Sequence, residues 1–151
     1  MPSGLEIPDF YVEELPNWVS VIAITKDGEF LIEEQYRHGI GRVCFELCAG
    51  VVEKGETPLE TAKRELLEET GYISNDWEEF GCYAPNTSSC NNFCYTFIAT
   101  NLEKVSEPSL DKTEGIIIHL LKKINIKDMM LDGRITGIIM LAPLWRFFSP
   151  K

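Results

Sequence analysis

Between Gly50 and Tyr72 the chain reads GVVEKGETPLETAKRELLEETGY, and four of its glutamates, Glu56, Glu65, Glu68 and Glu69, crowd around one arginine, Arg64. Carboxylates grouped this closely repel one another unless positive charge sits among them. A single guanidinium does not neutralise four acids. A divalent cation carrying a phosphate substrate does, with oxygen donors supplied by the protein. An acidic helix face bathed in water is the commoner meaning of such a stretch, so the spacing of its residues has to decide.

The element that positions these acids announces itself locally. Thr57 followed by Glu60 is a capping box, and Pro58 occupies the first helical position, where its missing N–H costs nothing. Gly71 ends the helix as a left-handed cap. Leu59, Ala62 and Leu66 recur at helical spacing and face the core, while Glu65, Glu68 and Glu69 share a neighbouring face. Glu65 and Glu69 stand at i and i+4, so their side chains project side by side and call for a cation.

Around this helix the chain reads as strands. Val19 to Thr25 and Glu29 to Gln35 form a hairpin turning at Asp27-Gly28, both arms largely buried. After the glycine-bearing loop YRHGIGR, the run VCFELC forms one strand leading into Ala49 and Gly50. Trp77–Tyr83, Phe93–Ala99 and Ile116–Leu121 are further strands, separated by the turn-rich APNTSSCNN and the polar EPSLDKTEG. Two helices close the chain, over 126–132 and 135–148, the second broken or bent near Pro143. Residues 1–16 form an N-terminal arm or edge strand, and 17–151 a single domain.

Three flanking residues are candidates for substrate contact. Arg37 stands just past a strand end, where its guanidinium can fork onto a phosphate. Glu46 is a charge in an apolar strand, which is costly unless it is paired or close to a metal. Trp18, with Phe10 and Tyr11, either covers the sheet edge or stacks on a base.

A chain of 151 residues with 44% hydrophobic and 25% charged side chains suits one globular domain with a sizeable core. A net charge of −10 opposes a nucleic-acid surface. Neither a signal peptide nor an apolar run long enough to span a membrane is evident, so the expected location is the cytoplasm. Five cysteines include two pairs at loose zinc-ligand spacing, Cys44 with Cys48 and Cys90 with Cys94. Cys44, Cys48 and Cys94 lie in strand-like runs, where a reduced cysteine behaves as a small apolar residue, and that reading is preferred to structural zinc.

Gly50, five residues, Glu56, seven residues, then Arg64-Glu65-Leu66, any residue, Glu68-Glu69, any residue, Gly71 and Tyr72 resembles the Nudix box at every fixed position. QYR before the loop and FEL-x-AG running into the box are similar to the ADP-ribose pyrophosphatase branch of that family. Cys48 departs from the proline typical of the branch, and Pro85 stands only approximately where the branch carries its downstream proline.

The resemblance implies a Nudix fold of the α/β class, a mixed sheet sandwiched between helices. It implies that the Ala49 carbonyl, Glu65 and Glu69 ligate metal with Glu68 beside them, and that Arg64 holds the cluster. Glu56 supports the site from its edge, and Glu114 is the distant acid that completes the metal site or acts as base. The metal expected with oxygen ligands is Mg²⁺, with Mn²⁺ as a substitute. A water deprotonated by a carboxylate would attack one phosphorus in line, cleaving ADP-ribose to AMP and ribose 5-phosphate. Nucleotide sugars, dinucleoside polyphosphates and modified dNTPs are alternative substrates. A nucleotide-sensing domain without turnover is the alternative of another class. The resemblance also implies a homodimer.

Overall fold

The computed structural model describes residues 2–111, 113 and 115–150. The elements are β1 (Trp18–Thr25), β2 (Phe30–Arg37), β3 (Arg42–Glu46), β4 (Cys48–Val51), α1 (Pro58–Thr70), β5 (Tyr72–Ile73), β6 (Asp76–Tyr83), β7 (Cys94–Lys104), β8 (Ile116–Leu121), α2 (Lys123–Leu131) and α3 (Ile138–Phe148).

Strand β1 organises the sheet because its alternation serves two cores. Val19, Val21 and Ala23 face α1, where they meet Leu31, Cys48, Ala62, Leu66, Phe97 and Ala99. Ile22 faces the other way, into a core built with Ile32, Leu47, Ala49, Ile98 and residues of α2 and α3, among them Ile126, Met129, Met140 and Leu144. The sheet is therefore held between α1 on one face and α2 with α3 on the other, as the α/β reading expects. Ser20, the polar exception on β1, is buried, and its hydroxyl lies 2.8 Å from that of Thr96 on β7. That bond removes the penalty of burying both groups unpaired.

On one edge β1 runs parallel to β7, through pairs from Trp18 with Cys94 to Thr25 with Leu102. Its other edge is shared: β4 pairs antiparallel with residues 18–21, and β2 joins at the hairpin end through Ile24 and Phe30. Strand β2 carries β3 and β8, both antiparallel, while β7 carries β5 and β6. The mixed sheet of the expectation is thus one parallel pairing in an otherwise antiparallel set.

The run VCFELC corrects the single-strand expectation. The chain leaves β3 at Glu46, passes Leu47 and resumes as β4 at Cys48, exchanging its partner from β2 to β1. Leu47 itself is buried in the α2/α3 core, which anchors the crossover. The closing helices are also displaced from expectation. α2 starts earlier, at Lys123, and α3 later, at Ile138, because Ile135 is buried in the connection and its N–H bonds to the Met129 carbonyl at 3.0 Å. α3 runs through Pro143 without a break. The N-terminal arm is exposed, touching the body through a bridge between Glu13 and Cys90. Phe10 and Tyr11 do not cover the sheet edge, being 65% and 90% exposed.

Candidate active site

Helix α1 is built as its signals require. The Thr57 hydroxyl accepts from the Glu60 N–H, the Glu60 carboxylate accepts from the Thr57 N–H, and Gly71 closes the helix at φ 74°. Ala62 and Leu66 are fully buried against β4 and β1, so the acidic face is turned towards the strand end at Ala49 and Gly50.

Arg64 lies at the centre of that face. Its Nε donates to Glu56 Oε1 at 2.9 Å and its Nη2 to Glu56 Oε2 at 3.1 Å. Nη1 donates to Glu65 Oε1 at 2.9 Å and to Glu68 Oε2 at 3.0 Å, and Nη2 also reaches the Val51 carbonyl at 3.4 Å. One guanidinium thus orders three carboxylates and the end of β4. Its bonds to Glu56, foremost, push the Arg64 pKa above its ordinary value. Glu56 is held down to about 2 by the same pairing and by the Thr61 hydroxyl.

Gly50 explains how Glu65 comes so near the strand. A Cβ at this position would sit 1.9 Å from Glu65 Oε1, so only glycine leaves room for the carboxylate against the β4 backbone. Glu69 is buried, and its Oε2 accepts from the Ala49 N–H at 3.3 Å. Ala49, Glu65 and Glu69 therefore converge at one corner, with Glu68 on the more exposed side. Glu114 lies outside the described residues.

The flanking candidates meet one another at a neighbouring cleft of about 800 Å³, lined by Trp18, Arg37, Glu46, Tyr36, Thr113 and Met140 among others. This volume falls within the range of small-molecule sites. Arg37 is not a free guanidinium: its Nε lies 3.1 and 3.0 Å from the two carboxylate oxygens of Glu46. The pairing accounts for the charge that Glu46 carries into the strand, and it raises the Arg37 pKa. A second cleft, of about 460 Å³ beside Pro58, Trp77 and Tyr95, includes none of the clustered acids of α1.

One member of the neighbourhood escaped the sequence reading. Glu33 on β2 is only 3% exposed and is the cross-strand partner of Glu46. Burial, then the nearby Glu69 and Glu46 charges, push its pKa well above the carboxylate range. The signal was present in the alternation, since Leu31 faces α1 and a residue two further along must do the same. The five cysteines form no disulfide and no paired cluster: Cys44, Cys48 and Cys94 are buried, Cys82 is exposed and Cys90 is half-buried.

A sheet between helices, with a glutamate helix set against a glycine strand end, is the layout of a Nudix hydrolase, and the NUDIX domain model matches residues 15–130. The chain belongs to that family. It is 33% identical over 127 residues to an ADP-ribose pyrophosphatase of Bacillus subtilis, covering 74% of this chain and 69% of that one. It is 37% identical over 102 residues to a methanol dehydrogenase activator of Bacillus methanolicus, covering 67% of this chain and 55% of the other. Among solved structures, an ADP compounds hydrolase superposes with a TM-score of 0.77 at 21% identity, over 85% of this chain and 69% of that one. The chain thus spans from about half to about two thirds of the length of these curated relatives.

Proposed function

We propose that this protein hydrolyses the diphosphate linkage of a nucleoside diphosphate derivative, with ADP-ribose as substrate and AMP and ribose 5-phosphate as products. The observation that supports this reading most is the convergence of Glu65, Glu69 and Ala49 beside Gly50, next to a cleft bearing an arginine. The pyrophosphatase relatives point to the same substrate class.

The donor set fits a hard divalent cation. It is composed of carboxylate oxygens and the β4 backbone carbonyl of Ala49, the ligands that Mg²⁺ prefers and Mn²⁺ accepts. Glu65, Glu69 and the Ala49 carbonyl would hold it, with Glu68 beside them. When bound, such an ion neutralises charge accumulating on the phosphate oxygens. The protein's own part is positioning. Arg64 fixes Glu56, Glu65 and Glu68 in one arrangement, so little reorganisation is needed when substrate arrives. Arg37, held by Glu46 through Nε and Nη2, offers Nη1 to a phosphate oxygen, and Trp18 gives the base an aromatic face. A carboxylate of this cluster, or Glu114, takes the proton from the attacking water.

A hydrolysis panel with Mg²⁺, comparing kcat/KM for ADP-ribose, nucleotide sugars, dinucleoside polyphosphates and dNTPs, tests the assignment. ADP-ribose should lead. Preference for dNTPs would overturn the substrate and leave the family membership intact. The homodimer and the cytoplasmic location belong to the same proposal, and sedimentation of the purified chain tests the first. Among the described residues no helix is long and apolar enough to cross a membrane.

A further inference from the structure

Behind the wall of the cleft lies a group of atoms of which the proposed reaction uses only those of Glu69. A carboxylate oxygen of Glu33, the Sγ of Cys48 and a carboxylate oxygen of Glu69 lie within 4.8 Å of one another, and all three residues are buried. They come from β2, β4 and α1, three elements that nothing local forces to place polar groups together. Cys48 is 0% exposed and Glu33 3%. Glu33 Oε1 makes no hydrogen bond, a cost of about 1–3 kcal/mol for a buried polar atom. Glu33 and Cys48 each share a hydrogen bond with Glu69, but the Glu33 Oε1 left over is an unshared donor atom for a ligand in the cluster.

We infer that Glu33, Cys48 and Glu69 form an inner site for a borderline transition-metal dication of the Zn²⁺ or Co²⁺ type, chemically distinct from the all-oxygen corner at Ala49 and Glu65. The donor set selects the ion. One sulfur with two carboxylates suits metals that take thiolate and oxygen together, and it disfavours Mg²⁺. Ligands about 2.0–2.3 Å from zinc stand about 3–4 Å apart in a tetrahedron, so a contraction of about 1 Å from the present spacing closes the site. Binding would release the Cys48 thiol proton and the proton carried by the Glu33 carboxyl to solvent, and give the unpartnered Glu33 oxygen a partner. Entry from the cleft is short, because Glu46 on its wall is the cross-strand partner of Glu33. An ion here would tie β2 to α1 and fix the Glu69 carboxylate that also faces Ala49. The site neither requires substrate nor depends on which diphosphate is cleaved.

Cobalt alone is the probe. Titrating Co²⁺ into the metal-stripped full chain should give one equivalent whose absorption carries a thiolate-to-cobalt charge-transfer band. Cys48→Ala should abolish the band, and Glu33→Gln should weaken binding of that equivalent by at least about ten-fold. A wild-type protein without the band overturns the site, as does a band that persists in Cys48→Ala, which would come from another cysteine. If Cys48→Ala does not fold, Glu33→Gln decides: unchanged cobalt affinity overturns the proposal. Because no turnover is read, failure here leaves the hydrolase reading standing, and failure of that reading leaves this one.

Discussion

Arg64 bonds to Glu56, Glu65 and Glu68 at once, so its loss would leave three acids facing one another. Arg64→Gln is expected to lower kcat by about 10- to 100-fold, the scale on which supporting residues of metal sites act, and steady-state kinetics with Mg²⁺ checks it. The Glu56 carboxyl, held at about 2 by Arg64, makes a pH prediction with a defined sign. Its folded-state value lies below its ordinary value of 4.5, so the pair stabilises the fold above that pH and is lost as the pH falls towards 2. The difference in urea midpoint between wild type and Glu56→Gln should therefore be present at pH 7 and vanish across that acid window. A difference that grows on acidification would contradict the assignment. Under the proposed function Arg37 would bind a substrate phosphate. Arg37→Ala should raise KM for ADP-ribose by about ten-fold or more, as loss of a charge-assisted hydrogen bond implies, with a smaller change in kcat. Legibility at this scale followed locality. Arg64 and its glutamates could be read because their partners lie on the same helix or just before it. The pairing of Arg37 with Glu46, and the burial of Glu33 beside Glu69, depend on strands brought together across the chain.

At the scale of elements, α1 carries its own instructions. The capping box, Pro58 and Gly71 were legible because each acts within a few residues, and all three occur as read. Thr57→Ala should cost about 1 kcal/mol of stability, measured by denaturant unfolding. Gly50→Ala is the more telling substitution, since its Cβ would overlap the Glu65 carboxylate. Activity should fall while the melting temperature changes less than the activity loss would suggest. The β3–β4 break at Leu47 was not legible. Nothing in VCFELC marks an interruption; the cause is that β1 offers one edge to two strands in succession, a constraint only the assembled sheet imposes. The start of α3 was misplaced for a related reason, as apolar Ile135 continues the helical pattern but is buried in the connecting loop.

For the whole molecule, the layered fold puts the acid helix on one face of the sheet and lets α3 help wall the cleft beside it. The class of fold was readable from the order of strands and helices and from the spacing of the glutamates. The substrate was less so, because the residues that would select it, Trp18, Arg37, Thr113 and Met140, come from four separate stretches that meet only at the cleft. Whether the Glu65 corner cleaves a diphosphate is read from product release from ADP-ribose by the purified chain and its Glu65→Gln variant, with and without Mg²⁺. The wild type should release equal amounts of AMP and ribose 5-phosphate, only with the cation, and the variant should lose about 10- to 100-fold of that activity or fall to the measurable background. Undiminished turnover in Glu65→Gln, or no cleavage of any diphosphate by the wild type with Mg²⁺ present, would contradict cleavage at that corner.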